Sequence, residues 1–522
     1  MNTTEFLMVT SAIVPDREAI VFEGSRFTYG ALQQRSSKLA NALTELGVEK
    51  NDRVAFLEVN CSHCVEVYFA CAKIGAIYVP LNFRAKGEEV AFMLQDSGAK
   101  VLVVGERYRG MVEEIRPEIG GVEHFIGLNG PPTKGMLDYE ALVESGADED
   151  PFNLIEDDDL TILLFTAGTT GTPKGVMLAH RNFSEYVLNN VSPVEPEVEE
   201  KNLLTVPLYH IAGVQGLMAA IYGGRTLVIQ RQFEPESWMR LVQEERVDRA
   251  MTVPTMLKQL MEHAKFPEYD LSSLQMITYG AAPMPLEVIK HAIELFPGAR
   301  FINAFGQTES AATITMLGPD DHVIEGSPEE IEKRLKRLGS IGKPLADVEV
   351  TIMDEDGKVL PRGEVGEIVA RGGRIMKGYW NQDEATSSAI DGGGWLHTGD
   401  LGYQDEDDYI FLSGRAKDVI KRGGEMVSPE EVENVILTHP QVDDVAIIGV
   451  PDTEWGEQVR AVVVPKNGET IDPEEIIQLC RQRLASFKKP ESVVFTDELP
   501  RNPMGKILKR VLREEFGEPI TA

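Results

Sequence analysis

Residues 165–175 read Phe-Thr-Ala-Gly-Thr-Thr-Gly-Thr-Pro-Lys-Gly, and they continue an apolar stretch, residues 160–165, with the composition of a buried strand. The three glycines lack a Cβ, so that backbone N–H groups at these positions can close around an anion. Four threonines add hydroxyl donors, and Lys174 adds a positive charge. The run therefore predicts a loop that holds phosphate groups; the alternative for a Gly/Thr-rich stretch is a plain surface turn.

The spacing of this run differs from that of a P-loop. A P-loop places Gly and Lys next to each other and follows them with a Ser or Thr that opens a helix. Here Pro173 lies between Gly171 and Lys174, and the following residues, Gly-Val-Met-Leu-Ala-His, have the character of a strand. The sequence thus disfavours a P-loop kinase or NTPase.

The bulk composition describes a large, acidic chain. Its 522 residues exceed what one core usually supports, so we expect at least two domains. A net charge of −33 disfavours nucleic acid as a partner. No apolar run is long enough to span a bilayer and the start lacks a basic signal segment, so we expect a cytoplasmic protein without a transmembrane segment. Cys61, Cys64, Cys71 and Cys480 are expected to be buried free thiols, because a structural zinc site needs about four ligands.

Strand-like and helix-like segments alternate along most of the chain. Arg53–Leu57, Thr226–Ile229 and residues 301–304 have the composition of strands. Residues 61–75, 214–222 and Pro235–Glu245 have that of helices. Such alternation is typical of parallel sheets wrapped by helices. It predicts an α/β protein with a large N-terminal domain of doubly wound sheets.

Two changes of pattern predict the domain organisation. Residues 341–370 switch to short strands with Asp-Glu-Asp-Gly and Pro-Arg-Gly turns, which predicts a small β-barrel-like subdomain. Residues 414–424, Gly-Arg-Ala-Lys-Asp-Val-Ile-Lys-Arg-Gly-Gly, have the composition of a junction. We therefore predict an N-terminal domain at 1–413, a hinge at 414–418 and a small α+β domain at 419–522.

Ordered motifs along nearly the whole chain resemble those of the adenylate-forming superfamily, which comprises acyl-CoA synthetases, amino-acid adenylation domains and beetle-type luciferases. The motifs beyond the first loop are Tyr-Gly-Ala-Ala-Pro at 279–283, Asn-Ala-Phe-Gly-Gln-Thr-Glu at 303–309, Trp-Leu-His-Thr-Gly-Asp at 395–400 and Pro-Arg-Asn-Pro-Met-Gly-Lys at 500–506. The chain is most similar to medium- or long-chain fatty-acid and aromatic-acid CoA ligases. The resemblance implies two half-reactions: a carboxylic acid and Mg-ATP give an acyl-adenylate and pyrophosphate, and CoA then gives a thioester and AMP.

In this family the first loop holds the β- and γ-phosphates of ATP. The resemblance assigns this role to Thr166, Gly168, Thr169, Thr170, Gly171 and Lys174. Ala167 stands where serine is usual, so one hydroxyl is lost and we expect a weaker phosphate contact.

The next two motifs are implied to hold the base, the α-phosphate and the metal. The stretch that runs under the adenine corresponds to Gly280, Ala281 and Ala282. Phe305, where tyrosine is more usual, is expected beside the adenine, and Thr308 is expected to contact the α-phosphate. Glu309 is expected to hold Mg²⁺, a hard cation that prefers oxygen ligands.

The later motifs supply the ribose contact and the catalytic lysine. Asp400 is expected to accept hydrogen bonds from the ribose hydroxyls, and Arg415 is expected to contact the nucleotide. Lys506 corresponds to the family's lysine that bridges the attacking carboxylate and the α-phosphate. A positioned cation offsets the repulsion between a carboxylate and a triphosphate.

The same site is expected to serve both half-reactions through rotation of the small, mobile C-terminal domain about Lys417. This rotation would withdraw Lys506 and bring Gly423 and Gly424 to line the pantetheine tunnel for CoA.

His210, within Pro-Leu-Tyr-His-Ile-Ala-Gly at 207–213, is expected to form the gate between the acyl pocket and the thiol tunnel. Amino-acid-activating relatives carry an Asp at this position, so an α-amino acid is disfavoured as a substrate. The expected pocket neighbours are mostly apolar and uncharged: Ile211, Val214, Gln215, Met251, Pro254, Tyr279 and Thr313.

The identity of the acid stays open at this point. An uncharged chain or ring with one carboxylate is expected, with a slight preference for a fatty acid over a benzoate- or coumarate-like acid. Free CoA is the expected thiol acceptor, and a separate carrier protein is the alternative. A luciferase-like oxygenase and a non-enzymatic relative are the remaining alternatives, and the resemblance leaves a homodimer open.

Overall fold

Strands and helices alternate through the chain, as the sequence predicts. The computed structural model describes residues 1–130, 133–151, 153–166, 173–415, 418–422, 425–452, 455–466, 468–502 and 506–519. Within these residues the helices are α1 (Thr3–Ile13), α2 (Tyr29–Glu45), α3 (Ser62–Ile74), α4 (Gly87–Ser97), α5 (Arg109–Ile115), α6 (Tyr139–Ser145), α7 (His180–Asn190), α8 (Ile211–Tyr222), α9 (Pro235–Glu245), α10 (Pro254–Glu262), α11 (Leu286–Leu295), α12 (Pro328–Leu338), α13 (Asp383–Ala389), α14 (Pro429–Ile436), α15 (Pro473–Arg483) and α16 (Lys509–Phe516). The strands are β1 (Glu18–Phe22), β2 (Ser25–Thr28), β3 (Arg53–Leu57), β4 (Ile77–Pro80), β5 (Val101–Gly105), β6 (His124–Leu128), β7 (Leu137–Asp138), β8 (Leu160–Thr166), β9 (Lys174–Ala179), β10 (Lys201–Leu204), β11 (Thr226–Ile229), β12 (Arg249–Thr252), β13 (Met276–Gly280), β14 (Arg300–Gln307), β15 (Ala312–Leu317), β16 (Lys343–Pro344), β17 (Glu349–Met353), β18 (Gly366–Arg371), β19 (Gly378–Tyr379), β20 (Leu396–Gln404), β21 (Ile410–Arg415), β22 (Ile420–Arg422), β23 (Glu425–Val427), β24 (Val442–Asp452), β25 (Gly456–Pro465) and β26 (Ser492–Phe495).

The described strands form four sheets. One large sheet has the order β16-β15-β14-β13-β12-β10-β11-β1-β2, and its central strands are parallel. A second large sheet has the order β19-β9-β8-β4-β3-β5-β6-β7. An antiparallel sheet, β17-β18-β20-β21, forms the small β unit, and β23-β22-β25-β24 with β26 beside β25 forms the sheet of the C-terminal part. The α/β fold class and the separate small C-terminal unit are confirmed, whereas the predicted boundaries at 413 and 418 stay predictions.

Local sequence signals explain where the helices of the N-terminal part begin and end. Thr28 caps α2, because its hydroxyl oxygen accepts a hydrogen bond from the backbone N–H of Ala31 at 3.1 Å. Helix α3 ends at Gly75, whose φ of +70° is a left-handed conformation that favours glycine. The helix predicted from Pro235 to Glu245 has these same bounds in the structure.

Two elements are longer than the sequence predicts, and both extensions lie at the candidate site. Helix α8 begins at Ile211 instead of Val214, because the Pro207–His210 turn, in which the His210 N–H donates to the Pro207 carbonyl at 3.0 Å, starts it early. Strand β14 continues to Gln307 instead of ending at Ala304, because its last residues pair with β15.

The four cysteines are free and buried, as predicted. Cys61 and Cys64 place their sulfur atoms 3.7 Å apart, well beyond a disulfide bond length. The described residues contain no group of three or more His, Cys, Asp or Glu side chains arranged to hold a metal ion. None of the helices in the described part of the chain has the length and apolar character that crossing a bilayer requires.

A buried arginine joins the small β unit to the large sheet. Arg374 is fully buried, and its Nη1 lies 3.1 Å from a carboxylate oxygen of Asp347, which is also buried. Its Nη2 donates to the backbone carbonyl of Thr313 on β15, and its guanidinium lies over the ring of Tyr186. Burial lowers the pKa of Arg374. Because removal of one partner would leave a buried, unpaired charge, this pair is a strong structural constraint.

We expect Arg374→Met to lower the free energy of unfolding by about 3–5 kcal/mol, because Asp347 would stay buried without its counter-ion. Arg371 offers a matched control: it pairs with Glu349 at 2.7 Å, but both side chains are largely exposed. Arg371→Met is expected to leave the free energy of unfolding nearly unchanged, because an exposed ion pair contributes little to stability. Denaturant unfolding of both variants tests this difference, and equal losses would contradict it.

Candidate active site

The predicted phosphate loop connects two strands of one hairpin. Strands β8 and β9 are antiparallel neighbours, and Thr166 lies opposite Lys174 in their register. The residues between these strands that we assigned to phosphate binding, Gly168, Thr169, Thr170 and Gly171, lie outside the described residues, as does Ala167. The structure thus describes both ends of the loop, and the phosphate role of its members stays a prediction.

Lys174 and Glu309 both contact the side chain of Tyr379. The ammonium nitrogen of Lys174 lies 4.8 Å from the ring centre of Tyr379, and the Tyr379 hydroxyl donates to Glu309 Oε1 at 2.8 Å. Strand β19 carries Tyr379 and pairs with β9, so that Tyr379 lies opposite Val176. Burial and the Glu309 charge raise the pKa of Tyr379, which keeps its hydroxyl protonated and able to donate. A cation from the phosphate hairpin and a carboxylate from the 303–309 motif are therefore in one cluster.

The surroundings of Glu309 fit a nucleotide-bound Mg²⁺. Glu309 lies in a short 3-10 turn, Thr308–Ser310, that follows β14. Mg²⁺ usually takes one or two carboxylates and completes its shell with phosphate oxygens and water. One carboxylate near Lys174, the lysine predicted to bind phosphate, suits such a metal, and it does not suit a metal held by protein ligands alone.

The predicted adenine stretch follows β13. Gly280 lies opposite Ala304 of β14, and a Cβ at Gly280 would lie 2.2 Å from the Ala304 carbonyl oxygen, so this position requires glycine. Ala281 is exposed and has a φ of +67°, a conformation that is uncommon for a residue other than glycine. Ala282 is half-buried. Small side chains thus border an open backbone segment, as contact with a flat ring would require.

The neighbouring residues of the 303–309 motif are half-buried. Phe305 packs against the small β unit, with Ile341 and Ile368 in the same cluster. Thr308 opens the 3-10 turn that carries Glu309. The structure therefore brings Phe305, Thr308 and Glu309 to one end of β14.

Asp400 and Arg415 face each other on β20 and β21. They are direct partners in the strand register, and Arg415 Nε lies 2.7 Å from Asp400 Oδ1. Burial raises the pKa of Asp400, whereas the charges of Arg415 and Lys506 act to lower it. The sequence predicted two separate nucleotide contacts; the structure joins the two side chains in an ion pair, so that ribose hydroxyls would share Asp400 with Arg415.

The backbone of Lys506 is hydrogen-bonded to Asn502. The Lys506 N–H donates to Asn502 Oδ1 at 2.9 Å, and the Asn502 N–H donates to the Lys506 carbonyl at 2.8 Å. The charge of Lys506 acts to lower the pKa of Asp400, the residue predicted to bind the ribose. The ion pair of Lys258 with Asp443, at 2.8 Å, joins the two parts of the chain. Lys417, Gly423 and Gly424, assigned to the hinge and the pantetheine tunnel, lie outside the described residues.

His210 stands at the N-terminus of α8, with its ring 4.5 Å from that of Tyr209. Burial and the nearby Arg84 lower the pKa of His210 to about 4, so the imidazole is neutral at neutral pH. Of the expected pocket neighbours, Ile211, Val214 and Gln215 share the first turns of α8. Tyr279 is instead buried in the core of the large sheet, where its hydroxyl bonds to His322 at 2.9 Å.

Tyr379 is the site residue that the sequence did not predict. It belongs to a two-residue strand, and the only local signal is the aromatic pair Tyr379-Trp380 after Gly378. Its partners are distant in the chain: Trp380 donates its backbone N–H to the Gly175 carbonyl at 2.7 Å, and Tyr379 reaches Glu309. The pairing of β19 with β9, together with the hydrogen bond from the Met376 N–H to the Glu309 carbonyl at 2.8 Å, brings Tyr379 to the site.

Comparisons with known proteins identify the family of the chain. The family model of AMP-binding enzymes matches residues 10–380, and that of the AMP-binding enzyme C-terminal domain matches residues 431–506. A feruloyl-CoA synthase of an Amycolatopsis species is 37% identical over 506 residues, which cover 96% of each chain. The long-chain-fatty-acid–CoA ligase FadD13 of Mycobacterium tuberculosis is 35% identical over 498 residues, which cover 95% of this chain and 94% of the relative. The solved structure of the anthranilate CoA ligase AuaEII in complex with anthranoyl-AMP matches with a TM-score of 0.88 at 26% identity, over 99% of this chain and 97% of that one. The chain therefore belongs to the family of AMP-binding enzymes and is an AMP-forming acid–thiol ligase of the adenylate-forming superfamily.

Proposed function

We propose that this enzyme activates a hydrophobic carboxylic acid with Mg-ATP as an acyl-adenylate and then transfers the acyl group to CoA. The observation that carries the proposal is the Lys174–Tyr379–Glu309 cluster, which joins the lysine predicted to bind phosphate to the carboxylate predicted to bind Mg²⁺. The ion pair of Asp400 with Arg415 supports the proposal at the predicted ribose site.

In the first half-reaction the carboxylate attacks the α-phosphate and pyrophosphate leaves. Lys506 would neutralise part of the charge that develops between the two anions, and Lys174 would hold the departing phosphates. Glu309 would hold Mg²⁺, which would supply further positive charge at the phosphate oxygens. Asp400 and Arg415 would fix the nucleoside end, so that the reacting atoms stay aligned.

In the second half-reaction the CoA thiol attacks the acyl carbonyl and AMP leaves. Rotation of the domain at 419–522 about the hinge at 414–418 would remove Lys506 and bring Gly423 and Gly424 to the tunnel. Neutral His210 would border the path of the thiol without placing a charge beside the acyl group.

The sequence analysis slightly favours a fatty acid as the substrate, and the relatives add no support for a fatty acid over an aromatic acid. One relative carries feruloyl in its name and another carries long-chain fatty acid, so we propose both classes as candidates. An assay of AMP release with straight-chain and aromatic acids, in the presence of CoA, tests the proposal. The proposal requires AMP and a CoA thioester in equal amounts with at least one acid, and release of AMP only with a carrier protein would identify that protein as the acceptor.

A further inference from the structure

The side-chain amide of Gln215 is buried, and only its oxygen makes a hydrogen bond within the described residues. Its side chain lies on α8, two turns or fewer from His210, and the residue is 8% exposed. Its Oε1 accepts a hydrogen bond from the Thr313 hydroxyl at 3.1 Å. Its Nε2 is buried and has no hydrogen-bond partner within the described part of the chain. The Nε2 group of Gln215 is therefore an unpaired hydrogen-bond donor in an otherwise apolar region.

Thr313 holds this amide in place. Thr313 is 5% exposed, and its backbone carbonyl accepts a hydrogen bond from Arg374, which Asp347 fixes in turn. The hydroxyl of Thr313 therefore keeps Gln215 Oε1 occupied, and Gln215 Nε2 stays the unsatisfied atom. The pair is positioned by a buried ionic network and not by solvent.

The Gln215–Thr313 pair lies beside the strand that carries the reacting groups. Thr313 is the register partner of Gly306, which is flanked by Phe305 and lies three residues before Glu309. Helix α8 packs against β15 of this hairpin, and Ile211, Val214 and Met218 belong to the same large core cluster as Ala311 and Ala312. An acyl group joined to the α-phosphate and directed toward α8 would therefore reach Gln215.

An unsatisfied donor in such a place has an energetic cost. A buried amide N–H without a partner has lost its hydrogen bonds to water and has gained none in return, which disfavours the folded state. A purely hydrocarbon acyl group would leave this cost unchanged, whereas an acyl group with a suitably placed oxygen would remove it. His210 Nε2, at the start of the same helix, also lacks a partner among the described residues, so hydrogen-bonding capacity is concentrated on this end of α8.

We propose that the Gln215 amide selects acids whose acyl group carries a hydrogen-bond acceptor, such as a hydroxyl, methoxy or keto oxygen, over plain hydrocarbon acids. The inference rests on the proposed function and narrows its substrate class. Thr313 acts as a positioning residue that orients the amide.

Matched pairs of acids that differ by one oxygen substituent test the inference. Cinnamic acid is compared with its 3- and 4-hydroxy and methoxy derivatives, and straight-chain acids are compared with their hydroxy and keto derivatives, by kcat/KM for AMP release. In the wild type, at least one oxygenated member should exceed its plain partner by roughly tenfold to a hundredfold, which is the worth of one buried hydrogen bond. In Gln215→Leu this ratio should fall to within about threefold, chiefly through loss of the oxygenated substrate, and Thr313→Val should lower it by an intermediate factor.

A second buried glutamine provides the control. Gln230 is 4% exposed, and both ends of its amide are satisfied, by Thr205 and by the Glu234 carbonyl. Gln230→Leu is expected to change both members of a pair by the same factor, because it alters packing and not recognition. Both acids of a pair are measured with the same protein. The ratio of their kcat/KM values therefore does not change when part of the protein is unfolded.

The outcomes separate this inference from the proposed function. AMP release with no preference for any oxygenated acid, or a preference that Gln215→Leu leaves unchanged, would overturn the role of Gln215 and leave the ligase activity intact. Failure to release AMP with any acid would overturn the proposed function and the inference together.

Discussion

Lys506→Ala is expected to lower the rate of acyl-adenylate formation by about 10²–10³, equivalent to about 3–4 kcal/mol of transition-state stabilisation. The physical reason is the repulsion between an attacking carboxylate and the α-phosphate, which a positioned ammonium offsets. The charge of Lys506 acts to lower the pKa of Asp400, the residue predicted to bind the ribose, which is consistent with this role. Exchange of labelled pyrophosphate into ATP measures this half-reaction alone.

The second half-reaction supplies an internal control for Lys506→Ala. Thioester formation from a supplied acyl-adenylate should stay within a few-fold of the wild type, because Lys506 would be withdrawn in that step. Arg510, a nearby basic side chain that is 70% exposed and pairs with Glu514, offers the matched surface control. Arg510→Ala should leave both half-reactions nearly unchanged. Equal losses in the two half-reactions of Lys506→Ala would contradict the assignment.

Glu309→Gln is expected to lower adenylation by about 10²–10³ at saturating Mg²⁺ and to raise the Mg²⁺ concentration required for half-maximal rate. The substitution removes the charge that a hard cation prefers and keeps the size of the side chain. Removal of Mg²⁺ by a chelator should abolish the reaction of the wild type and of the variant, because both still require the metal on ATP. A double titration of rate against Mg²⁺ and ATP measures both effects.

Tyr379→Phe is the matched control for Glu309→Gln. It removes the hydroxyl that donates to Glu309 Oε1 and keeps the aromatic ring below Lys174. We expect a loss of about tenfold, because one neutral hydrogen-bond donor to a charged group is worth about 1.5 kcal/mol. A loss in Tyr379→Phe as large as that in Glu309→Gln would show that the ring cluster, and not the charge of Glu309, governs the reaction.

The fold could be predicted from the sequence where local signals are strong. The alternation of apolar strands with capped helices predicted Arg53–Leu57, Thr226–Ile229 and Pro235–Glu245 with their observed bounds. The early start of α8 and the extension of β14 were not predicted, because they depend on a turn and on pairing with a distant strand.

The candidate site could be predicted as a set of residues but not as a set of contacts. The motifs named Glu309, Asp400, Arg415 and Lys506, yet the direct ion pair between Asp400 and Arg415 follows from the register of β20 and β21. Such a cross-strand partner depends on tertiary register, which no local pattern encodes. The same holds for the orientation of Gln215 by Thr313, which depends on the buried Arg374.

The central claim is that the carboxylate itself attacks the α-phosphate. An acid labelled with ¹⁸O in both carboxylate oxygens, converted to thioester with ATP and CoA, tests this claim most directly by mass spectrometry of the AMP product. Attack by the carboxylate followed by thiol attack at the carbonyl carbon leaves one labelled oxygen on AMP, and this is the result we predict. Unlabelled AMP, or release of ADP in its place, would contradict the account.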